Sequence, residues 1–187
     1  MKKISLLAGV LIPVFSFVPN APLIGRGPYD HSAMLSVGGG LCRKMLGLFL
    51  VDALPGTENN QLYSLAYSFS AAYKFPWWDY TFNFRHRFEV SYNDNPDKKF
   101  RYASFGWVPE LVFWVKPWFF AMGVGPSFKT QVTPTTGGYY MVHAPFSVGL
   151  SVPPVSVEVV LRHTSNMYLA SPNEGADYLG FSLTYTF

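Results

Sequence analysis

Between residues 61 and 75 the apolar side chains fall on odd positions: Tyr63, Leu65, Tyr67, Phe69, Ala71, Tyr73 and Phe75. The even positions between them are mostly Ser and Ala, ending in Lys74. From 79 to 92 the phase is even, with Tyr80, Phe82, Phe84, Phe88, Val90 and Tyr92 alternating with Thr81, Asn83, Arg85, Arg87, Glu89 and Ser91. Segment 101–115 sets Phe105, Trp107, Leu111 and Phe113 against Ser104, Gly106 and Glu110. Segments 118–130 and 140–152 repeat the pattern, with Gly123, Gly125, Ser127, Ser147, Gly149 and Ser151 on the non-apolar face. A period of two is the signature of strands with one apolar face, and helical spacing fits none of these stretches. Segments 32–41, 155–165 and 177–187 bring the expected strands to eight. The apolar run 47–51 either extends the first strand past a bulge or forms an ordered loop.

The connections alternate in length. Those at 75–78, 116–117 and 153–154 are tight, whereas 55–60, 93–99, 130–138 and 166–176 are longer and rich in Gly, Pro and Asn. Short periplasmic turns alternating with longer external loops, on an even number of strands, predict an all-β fold: an eight-stranded antiparallel transmembrane β-barrel of the bacterial outer membrane. This places both termini in the periplasm. Trp77, Trp78, Trp114 and Trp118 lie beside the tight turns, where an interfacial aromatic girdle belongs. A soluble sandwich would also alternate, but two features favour the barrel. The polar face combines small residues with Arg85, Arg87, Glu89, Glu110, Glu158 and Arg162, a set that can fill the narrow interior of eight strands with paired charges. The last segment carries Leu179, Phe181, Leu183, Tyr185 and the terminal Phe187 on one face, and so resembles the C-terminal assembly signal of outer-membrane proteins.

Composition agrees with this picture. Of 187 residues, 49% are hydrophobic, 18% aromatic and only 13% charged, while the mean hydropathy of +0.14 is too low for a bundle of membrane helices. The net charge of +3 is dispersed, which argues against a nucleic-acid partner. Cys42 is the only cysteine, so no intramolecular disulfide forms, and it reads as a small shielded residue. Lys2 and Lys3 precede an apolar run over 4–17, which predicts a signal peptide within 1–21, cleaved after Ser16 or Ala21. Residues 22–187 then form a single barrel domain. No later stretch of about 20 apolar residues suggests a membrane helix.

Strand phase also exposes an anomaly. In 155–165 the outward set begins Val155, Val157, Val159, Leu161 and continues as His163 and Ser165. In the final strand the phase of Leu179 and Phe181 makes Asp177 outward as well. A serine, a histidine and a carboxylate thus converge at the external end of one hairpin, where hydrocarbon is expected and polar groups are costly. The combination suits nucleophilic catalysis: imidazole takes the proton of a serine hydroxyl, and a carboxylate fixes the tautomer of the imidazole. The outward His86 and the lumen-phase His143, each alone, read as tolerated polar residues.

The run Arg162-His-Thr-Ser-Asn166, followed by Pro172-Asn-Glu-Gly175 and then Asp177, resembles the C-terminal motif of the lipid A 3-O-deacylases, the PagL family. These are eight-stranded outer-membrane barrels that hydrolyse the ester-linked acyl chain at position 3 of lipid A. The resemblance implies Ser165 as nucleophile, His163 as base, Asp177 as the acid, Asn166 at the oxyanion hole and Asn173 in support. Two positions depart from the family pattern: the acid is Asp rather than Glu, and Met167-Tyr168 replace a small Ala-Gly pair. The expected substrate is lipid A or lipopolysaccharide in the outer leaflet. No cofactor is expected, and no ligand cluster for a metal is apparent. A homodimer is left open. The alternatives are a non-enzymatic barrel, structural or adhesin-like, and a lipase or acyltransferase acting on another membrane lipid.

Overall fold

A computed structural model of the protein describes residues 16–17, 30–40, 59–74, 81–115 and 117–187. Eight strands are present: β1 (Asp30–Gly40), β2 (Gln61–Lys74), β3 (Thr81–Asp94), β4 (Tyr102–Val115), β5 (Trp118–Gly123, continued by Gly125–Lys129), β6 (Tyr140–Val152), β7 (Val155–Ser165) and β8 (Ala176–Thr186). Each pairs antiparallel with the next. β8 also pairs with β1, Phe181 opposite Val37. The sheet therefore closes on itself, which satisfies every strand's backbone groups and leaves no edge. A two-residue strand, Ser16–Phe17, lies against the end of β2. Among the described residues no helix is long and apolar enough to cross a membrane, which has no bearing on a barrel that crosses with strands.

Burial runs opposite to that of a water-soluble domain. Leu35, Leu65, Phe105 and Phe181 are 55–63% exposed, while Arg87, Glu89, Glu110 and Glu158 are at most 1% exposed. Side chains alternate across the pleat, so the apolar set faces out and the charged set fills the lumen. A continuous apolar outer wall is far larger than the patches that soluble monomers expose, and it is what hydrocarbon accepts. Trp118, at the start of β5, is exposed on this wall, whereas the exposed Trp114 has the inward phase of Glu110 and Val112 and lies 5.0 Å from the Phe119 ring. Trp77, Trp78, Cys42, segment 47–51 and, apart from Ser16–Phe17, the expected signal peptide lie outside the described residues.

The lumen is layered. Nearest the tight turns Val112, Phe119 and Ala121 form a small apolar plug. Phe119 sits opposite Gly149, and a Cβ on that glycine would lie 2.3 Å from the Phe119 ring. Above it lie three guanidinium groups and three carboxylates. Arg85 donates from Nε to Glu110 and from Nη1 and Nη2 to Glu158, and Arg162 donates both Nη atoms to Glu89. Arg87 Nη2 lies 2.6 Å from Glu110, an ion pair rather than an aligned hydrogen bond. Opposed charges cancel within this layer, which is how charge is tolerated away from water. Toward the long loops Tyr178 donates to Asn93 and meets the hydroxyl of Tyr102. Phe119, Tyr102 and Tyr178 fall in the inward phase of their strands, with Gly123, Ser104 and Ser182, and are aromatic exceptions on an otherwise small or charged face.

Candidate active site

The antiparallel pairing of β7 with β8, which are joined by the loop at 166–175, sets a register in which Asp177 stands directly opposite His163. Directly opposed residues on one face bring their Cβ atoms within about 5.5 Å. A carboxylate one methylene shorter than Glu therefore reaches without distortion: His163 Nδ1 lies 2.8 Å from Asp177 Oδ1. The His163 side chain is 39% exposed and that of Asp177 12%. The acid is thus shielded while the far edge of the imidazole stays accessible. Ser165, two residues along on the same face, is half-buried and paired with Val142 of β6. Its hydroxyl forms no hydrogen bond to His163 in this structure. Hydrogen bonds of this kind are often long before substrate binds. The structure thus joins His163 to Asp177 and puts Ser165 beside them without closing the last link.

Asn166 turns inward and is 1% exposed. Its amide nitrogen donates within the loop region, to the carbonyls of Gly137, Ala170 and Pro172, and its Oδ1 accepts the N–H of Tyr168. Asn173 Oδ1 accepts the backbone N–H of Asn166. Both asparagines therefore brace the loop after Ser165. Met167 and Tyr168 adopt positive φ, 51° and 62°, the region glycine occupies most readily.

Two contacts that the sequence did not reveal hold this loop. Gly175, at φ +71°, lies against the imidazole, and a Cβ there would fall 3.0 Å from His163 Cε1 and 3.1 Å from the Thr164 carbonyl oxygen. The loop between β5 and β6 forms a second brace: Gly137 N–H donates to the Pro172 carbonyl, and Glu174 N–H to that of Thr135. Gly137 has no room for a side chain, since a Cβ would lie 2.3 Å from the Ser171 carbonyl oxygen. Such contacts link loops about 35 residues apart and have no periodic signature. Gly175→Ala is expected to leave the barrel folded, at a cost of about 1–2 kcal/mol from the left-handed backbone, while displacing His163. Activity should fall far more than stability, as comparison of turnover with urea unfolding would reveal.

Two further histidines, His86 and His143, are placed apart from this set. His86 is on the outer wall between the rings of Phe69 and Trp107, at 5.0 and 6.0 Å. His143 is buried in the lumen, opposite Thr164. Among the described residues no group of three His, Cys, Asp or Glu side chains could hold a metal ion.

A family model described as lipid A 3-O-deacylase (PagL) matches residues 61–186. The crystal structure of the outer membrane enzyme PagL superposes with a TM-score of 0.56 at 18% identity, covering 82% of this chain and 98% of that one. That of Neisserial surface protein A gives 0.48 at 11% identity, covering 86% and 98%. No curated protein sequence matches.

Proposed function

The chain belongs to the lipid A 3-O-deacylase (PagL) family, and we propose that Ser165, His163 and Asp177 are the groups with which it hydrolyses the acyl ester at position 3 of lipid A. The observation that carries this reading is the 2.8 Å contact between His163 Nδ1 and Asp177 on the outer wall, two residues from a serine. Asp177 accepts the Nδ1 proton, which leaves Nε2 as the basic nitrogen available to Ser165. His163 then takes the hydroxyl proton as Ser165 attacks the ester carbonyl. The backbone N–H of Met167, which follows Asn166 in the turn after Ser165, is the candidate donor for the resulting oxyanion. His163 returns the proton to the leaving sugar oxygen, and water, activated by the same imidazole, releases the fatty acid from the acyl-enzyme.

The setting suits a lipid substrate. A membrane lipid cannot enter a lumen filled by Arg85, Arg87, Arg162 and their carboxylates, but it can approach an outward-facing serine laterally. The long-loop end is the external one in this reading, with the termini in the periplasm and the site in the outer leaflet of the outer membrane. Residues 1–21 act as the export signal.

Mass spectrometry of lipid A from cells expressing the chain tests the reaction. Loss of one ester-linked acyl chain from position 3 is expected, and an unchanged acyl pattern with folded protein in the membrane would sink it. Replacing Asp177 with Asn keeps the contact but favours the wrong imidazole tautomer. Turnover should fall by about 10⁴-fold with unfolding midpoints within error of the parent. A loss under tenfold would remove Asp177 from the mechanism.

A further inference from the structure

We propose that residues 167–169, the tip of the loop following Ser165, form a membrane-surface anchor that dips into the boundary between headgroups and acyl chains. It fixes the depth at which Ser165 meets an ester; this second part rests on the esterase reading above. Met167, Tyr168 and Leu169 are 59, 86 and 70% exposed. Three consecutive large apolar side chains exposed together are a liability in water, unless they serve contact with something apolar.

The tip is also held in place. Two successive non-glycine residues at positive φ persist only where the surroundings impose that conformation. Asn166 imposes it here, taking the Tyr168 N–H on Oδ1 and the Leu169 N–H on its carbonyl oxygen, each at 3.0 Å. Asn166 is in turn fixed by the neighbouring loop through Gly137. The exposed side chains are therefore presented from a braced turn rather than carried on a loose one.

The rim around the tip indicates a lipid surface as its occupant. On the same side, the loop between β5 and β6 exposes Val132 and Tyr139. Four strands away round the barrel, the loop between β3 and β4 instead exposes Pro96, Asp97, Lys98 and Lys99. That charged turn is suited to water, and a Lys99 hydrogen bond and ion pair hold the Asp97 carboxyl below its usual pKa. Tyrosine is enriched where membrane meets water, because its ring is apolar and its hydroxyl polar. The apolar tip also continues the outward strip of Val157, Val159 and Leu161 beyond the polar break at His163 and Ser165. Lipid can thus be contacted both below and above the reacting serine.

The test uses the full chain folded into vesicles of phosphatidylethanolamine and phosphatidylglycerol. In Tyr168→Trp the added emission, relative to the parent, should be quenched by bromolipids and protected from aqueous iodide. Quenching by iodide alone would overturn the anchor, as would protection that appears in detergent only as protein concentration rises, which indicates a second copy of the chain. Tyr168→Gly removes the ring and suits the positive φ, so it should fold. Its kcat/KM on lipid A in vesicles, divided by that on a water-soluble short-chain ester, should fall about fivefold. An unchanged ratio would overturn the depth-setting role. Failure of the esterase reading would instead appear as no hydrolysis by the parent of either ester, with the quenching result unaffected.

Discussion

Ser165→Ala is expected to reduce lipid A deacylation by about 10⁴-fold or more while leaving the barrel intact. Removal of the hydroxyl deletes the atom that becomes acylated, so His163 has no proton to take and only oriented water remains as a nucleophile. Members of such a set act as a unit, and loss of one costs nearly as much as loss of all. Adding His163→Ala to Ser165→Ala should therefore lower the rate little further. The serine is half-buried on the outer wall and among the described residues its hydroxyl holds no lumen group, so heat-modifiable gel mobility should match the parent. Mass spectrometry of lipid A from cells producing equal amounts of each protein reads the result. Residual deacylation above one-tenth of the parent would remove Ser165 from the reaction and favour a barrel whose hydrolytic group lies elsewhere.

How much of this site was legible in the sequence follows from its periodicity. His163 and Ser165 share a face because they lie two apart on one strand, and no structure is needed to see it. Asp177 required the register of a hairpin whose intervening loop has no period. Strand phase supplied the face, but only the pairing with His163 explains why Asp reaches as Glu would. Asn166 is different. It was expected at an oxyanion hole from resemblance, and the structure gives its amide three carbonyl partners instead. Two of those belong to its own loop and one to Gly137, and the turn through positive φ that brings them together leaves no one-dimensional trace. The brace from residues 130–139 was invisible for the same reason.

The fold was more legible because each strand states its own two faces. Even so, phase alone does not say how the lumen makes room for an aromatic side chain that points inward. Phe119 sits among outward Trp118 and Phe120 in sequence, and its place in the lumen depends on space left by Gly149 from the neighbouring strand. Tyr102 and Tyr178 likewise meet across the lumen, 76 residues apart in sequence. Alternation gives the direction of a side chain. The complement that makes room for it comes from closure of the sheet.

Closure also makes the lumen charges interdependent, and Arg85→Met is expected to destabilise the barrel by roughly 3–5 kcal/mol, the range for breaking a buried pair from one side. Arg85 is the hub: its guanidinium serves Glu110 at 2.5 Å and both oxygens of Glu158 at 2.6 and 3.0 Å. Without it Glu110 retains Arg87 at 2.6 Å, whereas the fully buried Glu158 loses the one ion pair it makes among the described residues. The residual carboxylate, rather than the lost attraction, sets the penalty. Pairing Arg85→Met with Glu158→Leu should therefore restore much of the loss, because two apolar side chains of similar length can stand in for a buried ion pair at little cost. Urea unfolding of the vesicle-embedded barrel, followed by gel mobility, separates the cases. A single variant within 1 kcal/mol of the parent, or a double variant no better than the single, would mean that water reaches this layer and screens it. Catalysis should change little in either variant as long as the barrel stays folded, since the proposed site lies on the other face of the wall and draws no hydrogen bond from Arg85 or Glu158.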